Sequence, residues 1–176
     1  MTLTGTQSAD EREVMARRAL TLALRTATAL LGSGDAARDV AQDVAVIAVI
    51  RRGQLRDPQL FDQWVHRIAV RECSRAMRSS ARRRANEQPL EERLFEGGTT
   101  IDRDDALTAR QALADLPDRE RIALTLRYVH DLSDKQIASA MKCRPGTVAS
   151  LLSRGRRRLR SAPEMQTLLT SSGGRS

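Results

Sequence analysis

The chain is 176 residues long with a formal net charge of +8, enough for one or two domains and suited to an anionic partner. Its aromatic residues, Phe61, Trp64, Phe95 and Tyr128, are too few for the base-stacking platform of a single-strand binder, so the core must be aliphatic. Cys73 and Cys143 lie far apart with no CxxC pair, which excludes a disulfide framework and a zinc-ligand spacing; no metal or cofactor is expected.

Lys135 and Lys142 are the only lysines, so the positive charge is carried by arginine, whose planar fork donates two hydrogen bonds at once to phosphate. The opening MTLTGTQSAD lacks the basic-then-apolar pattern of a leader. The longest apolar run, VAVIAVI (44–50), is far short of the ~20 residues of a membrane helix. A soluble, cytoplasmic protein with no membrane partner is expected.

Helical punctuation dominates the chain, and an all-α fold is predicted. Asp10 can cap a first helix with Leu20, Leu24, Ala27 and Leu31 at helical spacing and Gly32 as its stop. Asp35 is the expected cap of a second helix, which ends at Gly53. VAVIAVI has the β-branched content of a strand, but no hairpin partner lies near it, so a buried helix is preferred. Asp57-Pro58 opens a third helix, a capping carboxylate followed by proline at the first helical position. Phe61, Trp64, Val65, Ile68 and Ala69 form its apolar stripe, and Trp64 at that spacing reads as core before it reads as a base contact. Arg71, Arg75, Arg78 and Arg82 share one face of the same helix, which runs on into Arg83 and Arg84.

The segment 85–105, ANEQPLEERLFEGGTTIDRDD, holds seven carboxylates, two arginines, a proline and a glycine pair. It reads as an acidic linker between two small helical domains, 1–84 and 106–165, with a disordered tail at 166–176. The second domain is a run of short helices. Leu107, Leu113 and Leu116 belong to one that ends at Pro117; Ile122, Leu126 and Val129 belong to the next. In LSDKQIASAM, Ser133 and Gln136 fit a capping box, and Ile137, Ala138 and Met141 form the buried side.

A tight CRPG connection leads to the last helix, and this pair of helices is a helix-turn-helix candidate. Val148, Leu152, Gly155 and Leu159 are expected to face the core, leaving Thr147, Ser150, Leu151 and Arg154 toward a DNA groove. Gly146 would let the backbone approach phosphate at the helix N-terminus, where unpaired N–H groups favour anions. Arg144 precedes it, and Arg156, Arg157, Arg158 and Arg160 suit backbone phosphates better than base edges.

At these residues the chain resembles a known family. LPDRERIALTLRYVHDLSDKQIASAMKCRPGTVASLLSRGRRRLR (116–160) is similar to the carboxy-terminal domain of extracytoplasmic-function sigma factors, whose pattern is LP-x-x-x-R, RY-x-x-x-LS-x-x-x-IA and GTV-x-S-x-L-x-R-x-R-x-x-L. The first half resembles the family's amino-terminal domain more weakly, through Asp39, Gln42, Asp43 and Ala48, and through Phe61, Trp64, Arg67, Ile68 and Ala69.

The resemblance implies a dissociable subunit that gives bacterial RNA polymerase its promoter choice. Asp39, Gln42 and Asp43 would face the polymerase clamp, and the second domain would also meet the flap. Arg56, Arg67, Arg71, Arg75 and Arg78 would meet minus-ten DNA. Arg144, Gly146, Thr147, Ser150, Leu151, Arg154, Arg157 and Arg158 would meet the minus-thirty-five element. The acidic linker would pass through the channel later taken by RNA, and the basic surfaces would be open to an acidic anti-sigma factor.

The chain also departs from the pattern. Ala45 and Val49 replace aromatics, Arg71 and Arg75 stand where Asn and Asp are frequent, Lys142 replaces a turn glycine, and Ala149 and Leu151 replace basic residues. The rival reading is a polymerase-independent helix-turn-helix regulator, which needs neither the 39–43 contacts nor the acidic linker. No catalytic constellation surrounds His66 or His130, so an enzyme is not expected.

Overall fold

The computed structural model of the chain describes residues 3–86 and 111–162, with side chains over 9–83 and 111–162. The linker read at 85–105, apart from its first two residues, lies outside the described residues, as do Leu107, Phe95 and the tail 166–176. Among the described residues every regular element is helical. Contacts divide the chain into two compact units, Met1–Phe95 and Glu96–Ser176.

The first unit packs three helices, α1 (Leu3–Leu31), α2 (Asp35–Ile50) and α3 (Phe61–Asn86). Helix α1 starts well before Asp10, so that residue lies inside the helix and not at its cap. Its buried face is also rotated from the expected one. Ala19, Ala23, Ala27 and Leu30 are buried, while Leu20 and Leu24 are 38% and 39% exposed. The facing side of α2 is alanine-rich as well, with Ala37, Ala41, Ala45 and Ala48 buried around Val40 and Val44. Small side chains on both helices let the backbones come close, and that proximity outweighs burying two leucines.

Gly32 ends α1 with φ 88°, a conformation that only glycine adopts without cost, and its N–H bonds to Thr28 O at 3.0 Å. Helix α2 is capped by the extended backbone of Gly34, with no side-chain bond. Asp35, expected at the cap, is the first helical residue; it pairs with Arg38 at 2.7 Å and adds negative charge at the positive end of the dipole. VAVIAVI is helical as expected, and α2 stops at Ile50, before Gly53, which sits in a 3-10 turn Arg52–Gln54. Asp57 does cap the next turn: its carboxylate accepts from Gln59 N at 2.9 Å, and Pro58–Leu60 leads directly into α3.

Phe61, Val65, Ile68 and Ala69 are buried, joined by Val70, Cys73 and Met77. Trp64 is half-buried, its ring tilted 46° against Phe61 at 6.2 Å. Arg18 ties α1 to the start of α3 by a two-pronged ion pair with Asp62, at 2.7 Å. Burial pushes the Cys73 thiol up to about 12, so it stays protonated, a small apolar core residue.

In the second unit a helical turn at 111–114 precedes α4 (Asp118–Tyr128), α5 (Asp134–Met141) and α6 (Pro145–Ser161). Ile122, Leu124, Leu126, Ile137, Val148 and Leu152 fill the space between them. The capping box forms in full, with Ser133 N donating to Gln136 Oε1 at 2.8 Å and Gln136 N donating to Ser133 Oγ at 3.4 Å. Arg127 pairs with Asp134 across the α4–α5 connection.

Helix α5 ends at Lys142, a left-handed residue with φ 50° and ψ 52°, and Cys143 N closes the turn on Ala138 O at 3.0 Å. A lysine pays a steric cost there that glycine avoids. Lys142→Gly is therefore expected to raise unfolding stability by about 1 kcal/mol, read as a higher urea midpoint. An unchanged midpoint would mean that the turn carries no strain.

Candidate nucleic-acid interface

The two faces of α6 follow from the packing of the second unit. Val148, Leu151, Leu152 and Gly155 are buried, and Leu159 is half-buried. Leu151 was expected on the outer face and is instead 4% exposed, in the core beside Leu152. Leu151 and Leu152 flank the line through Val148 and Gly155 on opposite sides, so one dry arc holds both, and burial of each is worth about 1.5–3 kcal/mol. Leu151 is therefore removed from the groove-facing set.

The exposed positions are Arg144, Pro145, Gly146, Ala149, Ser150, Ser153, Arg154, Arg156, Arg157, Arg158, Arg160 and Ser161. Their helical spacing puts Gly146, Ser150, Ser153 and Arg157 along the centre of the outer face. Thr147 is half-buried at its edge. Nothing lies within 4 Å of a Cβ built at Gly146, so the first turn is open to an approaching backbone. Ser153 is a position that sequence reasoning missed; its three-residue step from Ser150 was the available signal.

Arg154 and Arg158 are held differently. Arg154 Nε donates to Glu120 Oε1 at 3.1 Å, and Arg158 Nε lies 3.1 Å from Glu120 Oε2. Glu120 stands in the first turn of α4 and is only 4% exposed. The close approach of the helices makes this possible: a Cβ at Gly155 would stand 2.8 Å from Leu124 Cδ1 and 3.5 Å from Glu120 Cβ. Glu120 was not among the sequence-derived candidates.

The first unit carries a second basic face. Arg67, Arg71, Arg75 and Arg78 are all exposed along α3, and Arg56 is exposed in the turn before it. Beneath them lies another buried carboxylate, Glu72, which accepts from Arg71 Nε at 2.9 Å and from Arg71 Nη2 at 2.8 Å. Arg75 Nη1 reaches the other oxygen at 3.4 Å. On α2, Asp39, Gln42 and Asp43 are exposed together. The same side continues through Val46 and Ile50, two residues of the run VAVIAVI that was expected to be a buried helix, which are instead 56% and 76% exposed. Exposed apolar residues beside carboxylates suit a protein partner better than a nucleic acid.

Two stretches match known families: residues 15–83 match "Sigma-70 region 2" and residues 107–159 match "Sigma-70, region 4". The RNA polymerase sigma-H factor of Pseudomonas aeruginosa is 32% identical over 146 residues, covering 76% of this chain and 75% of that protein. The chain belongs to the extracytoplasmic-function sigma factors.

Another sigma factor of this group, the ECF RNA polymerase sigma-E factor of Escherichia coli K12, is 31% identical over 137 residues, covering 70% of this chain and 71% of its own. The fold has a solved counterpart in the sigma factor RpoE from Bartonella quintana, crystallised with the anti-sigma factor NepR. The TM-score is 0.66 at 22% identity, over 87% of this chain and 94% of that one. In this sigma factor both basic faces fall within matched regions, α3 in region 2 and α6 in region 4. Residues 84–106, between the matches, contain the whole of the segment read as an acidic linker. Among the described residues no helix is long and apolar enough to cross a membrane.

Proposed function

We propose that the chain directs RNA polymerase to its promoters through three surfaces. The reading rests on one observation: each sigma region presents its own exposed arginine face, α3 in the first unit and α6 in the second. On α3, Arg67, Arg71, Arg75 and Arg78, with Arg56 nearby, would neutralise the phosphates of the minus-ten element. On α6, Arg144, Gly146 and Thr147 would seat the helix N-terminus on a phosphate. Ser150, Ser153 and Arg157 would then face the groove of the minus-thirty-five element, with Arg154 and Arg158 on its flank. The smallness of Ala149 and Ser150 would leave room for thymine methyls and shape to contribute to choice.

Core polymerase would be held by Asp39, Gln42 and Asp43 on the clamp, extended by Val46 and Ile50, with the second unit at the flap. The chain would act in the cytoplasm by binding alone, leaving all chemistry to the core enzyme. An acidic anti-sigma factor would compete for the same arginines.

The test mixes purified core RNA polymerase with the chain, scores co-elution, and selects promoters from a randomised DNA pool by run-off transcription. The expected result is a stable complex and a recurrent pair of promoter elements. Sequence-selective DNA binding without association with core enzyme would sink this reading in favour of an independent regulator.

A further inference from the structure

We infer that Glu120 is a specificity-determining positioning residue for DNA reading, holding Arg154 and Arg158 in one orientation and cancelling half of their charge. The inference rests on the DNA-reading role proposed for α6, and its basis is a geometry that a solvated basic helix would not have. Glu120 comes from α4, thirty-four positions before Arg154 in the chain. Its side chain is 6% exposed, whereas those of Arg154 and Arg158 are 46% and 57% exposed.

A buried carboxylate is costly to desolvate unless it is paired, and here the two pairing groups lie one helical turn apart on α6. Both meet it through Nε. A guanidinium has five N–H donors, so each arginine keeps its outer donors for a further partner. Arg154 makes an aligned hydrogen bond, while Arg158 faces Oε2 in an ion pair without hydrogen-bond alignment. Gly155, between them, is the residue whose missing side chain brings α6 within reach of Glu120.

Two effects follow. Fixing the guanidiniums removes rotamer freedom before binding, so outer donors aimed correctly at the right sequence cost less to order. The carboxylate also leaves the trio with a single net positive charge, which limits its attraction to any duplex regardless of sequence. Both effects widen the gap between right and wrong DNA.

The measurement compares the full chain with Glu120→Gln on two duplexes across a salt series: one enriched from a randomised pool by the unmodified protein, and one of random sequence. Glu120→Gln is expected to bind the random duplex several-fold more tightly, with a salt slope steeper by roughly 1, while the selected duplex gains less. The ratio of the two affinities should fall at least threefold. An unchanged ratio overturns the inference. Arg154→Lys keeps the charge but loses the Nε anchor, and serves if Glu120→Gln does not fold. It should lower the ratio at an unchanged salt slope, and retention of the native ratio would again overturn the inference. If the unmodified protein enriches no sequence at all, the DNA-reading role of α6 fails as well, an outcome distinct from the other two.

Discussion

Reversing charge at Asp39 and Asp43 is expected to abolish recruitment to core RNA polymerase at concentrations that saturate the native chain. The two carboxylates stand one helical turn apart on the exposed side of α2, beside exposed Val46 and Ile50. Neither supports the core of the three-helix unit, which lies on the opposite side among Val40, Ala41, Val44 and Ala48. Asp39→Arg with Asp43→Arg should therefore leave the melting temperature close to native. Placing like charges across an interface costs several kcal/mol. A penalty of about 3 kcal/mol corresponds to roughly a 150-fold weaker complex. Gel filtration with core enzyme and run-off transcription read the loss directly. Asp10→Arg with Asp115→Arg, two exposed reversals outside α2 that add the same positive charge, controls for net charge. Equal weakening by the control would remove the α2 surface from the polymerase interface.

The second large effect is expected inside the DNA-reading unit. Gly155→Val should destabilise it by about 1–3 kcal/mol, because added atoms collide with a well-packed neighbour. A Cβ alone would already stand 2.8 Å from Leu124 Cδ1 and 3.3 Å from its Cγ, and Leu124 is only 2% exposed, so it has little room to turn away. The small gain in helix propensity of valine over glycine, about half a kcal/mol, does not offset this. For a unit of this size each kcal/mol lowers the melting temperature by roughly 4–8 °C. Moving α6 off α4 would also pull Arg154 and Arg158 away from Glu120. Gly146→Ala, where nothing lies within 4 Å of the new atom, serves as the stability control and should melt no lower than the native chain, since alanine favours the helix over glycine. A native melting temperature for Gly155→Val would mean that Leu124 yields freely and that the helix contact is loose.

Features whose cause lies within a few residues were legible. The Ser133–Gln136 capping box, the Asp57 cap before Pro58 and the Gly32 stop all formed as read, because each is a bond or a steric allowance within one turn. The arginine face of α3 was equally readable, since four residues at helical spacing share a side wherever the helix is placed. The family pattern at 116–160 added the order of the two regions. The core side of α1 was read correctly at Ala27 and misread at Leu20 and Leu24, because leucines at 20 and 24 and alanines at 19 and 23 have the same spacing. Periodicity alone does not choose between two apolar arcs.

The chain by itself determined the helices, most of their ends, the excess of arginine and the helix-turn-helix spacing, all of which come from local backbone preference and side-chain chemistry. Tertiary structure decided which side of each helix is dry and which charges are held. It turned α1 so that its alanines face inward, placed Leu151 in the core and brought Glu120 under Arg154 and Arg158. These outcomes depend on how closely two helices can approach, and that distance is set by residues far apart in the chain, such as Gly155 and Leu124. The physical reason is that burial and pairing are properties of neighbours in space, and a linear spacing rule specifies only neighbours along one helix.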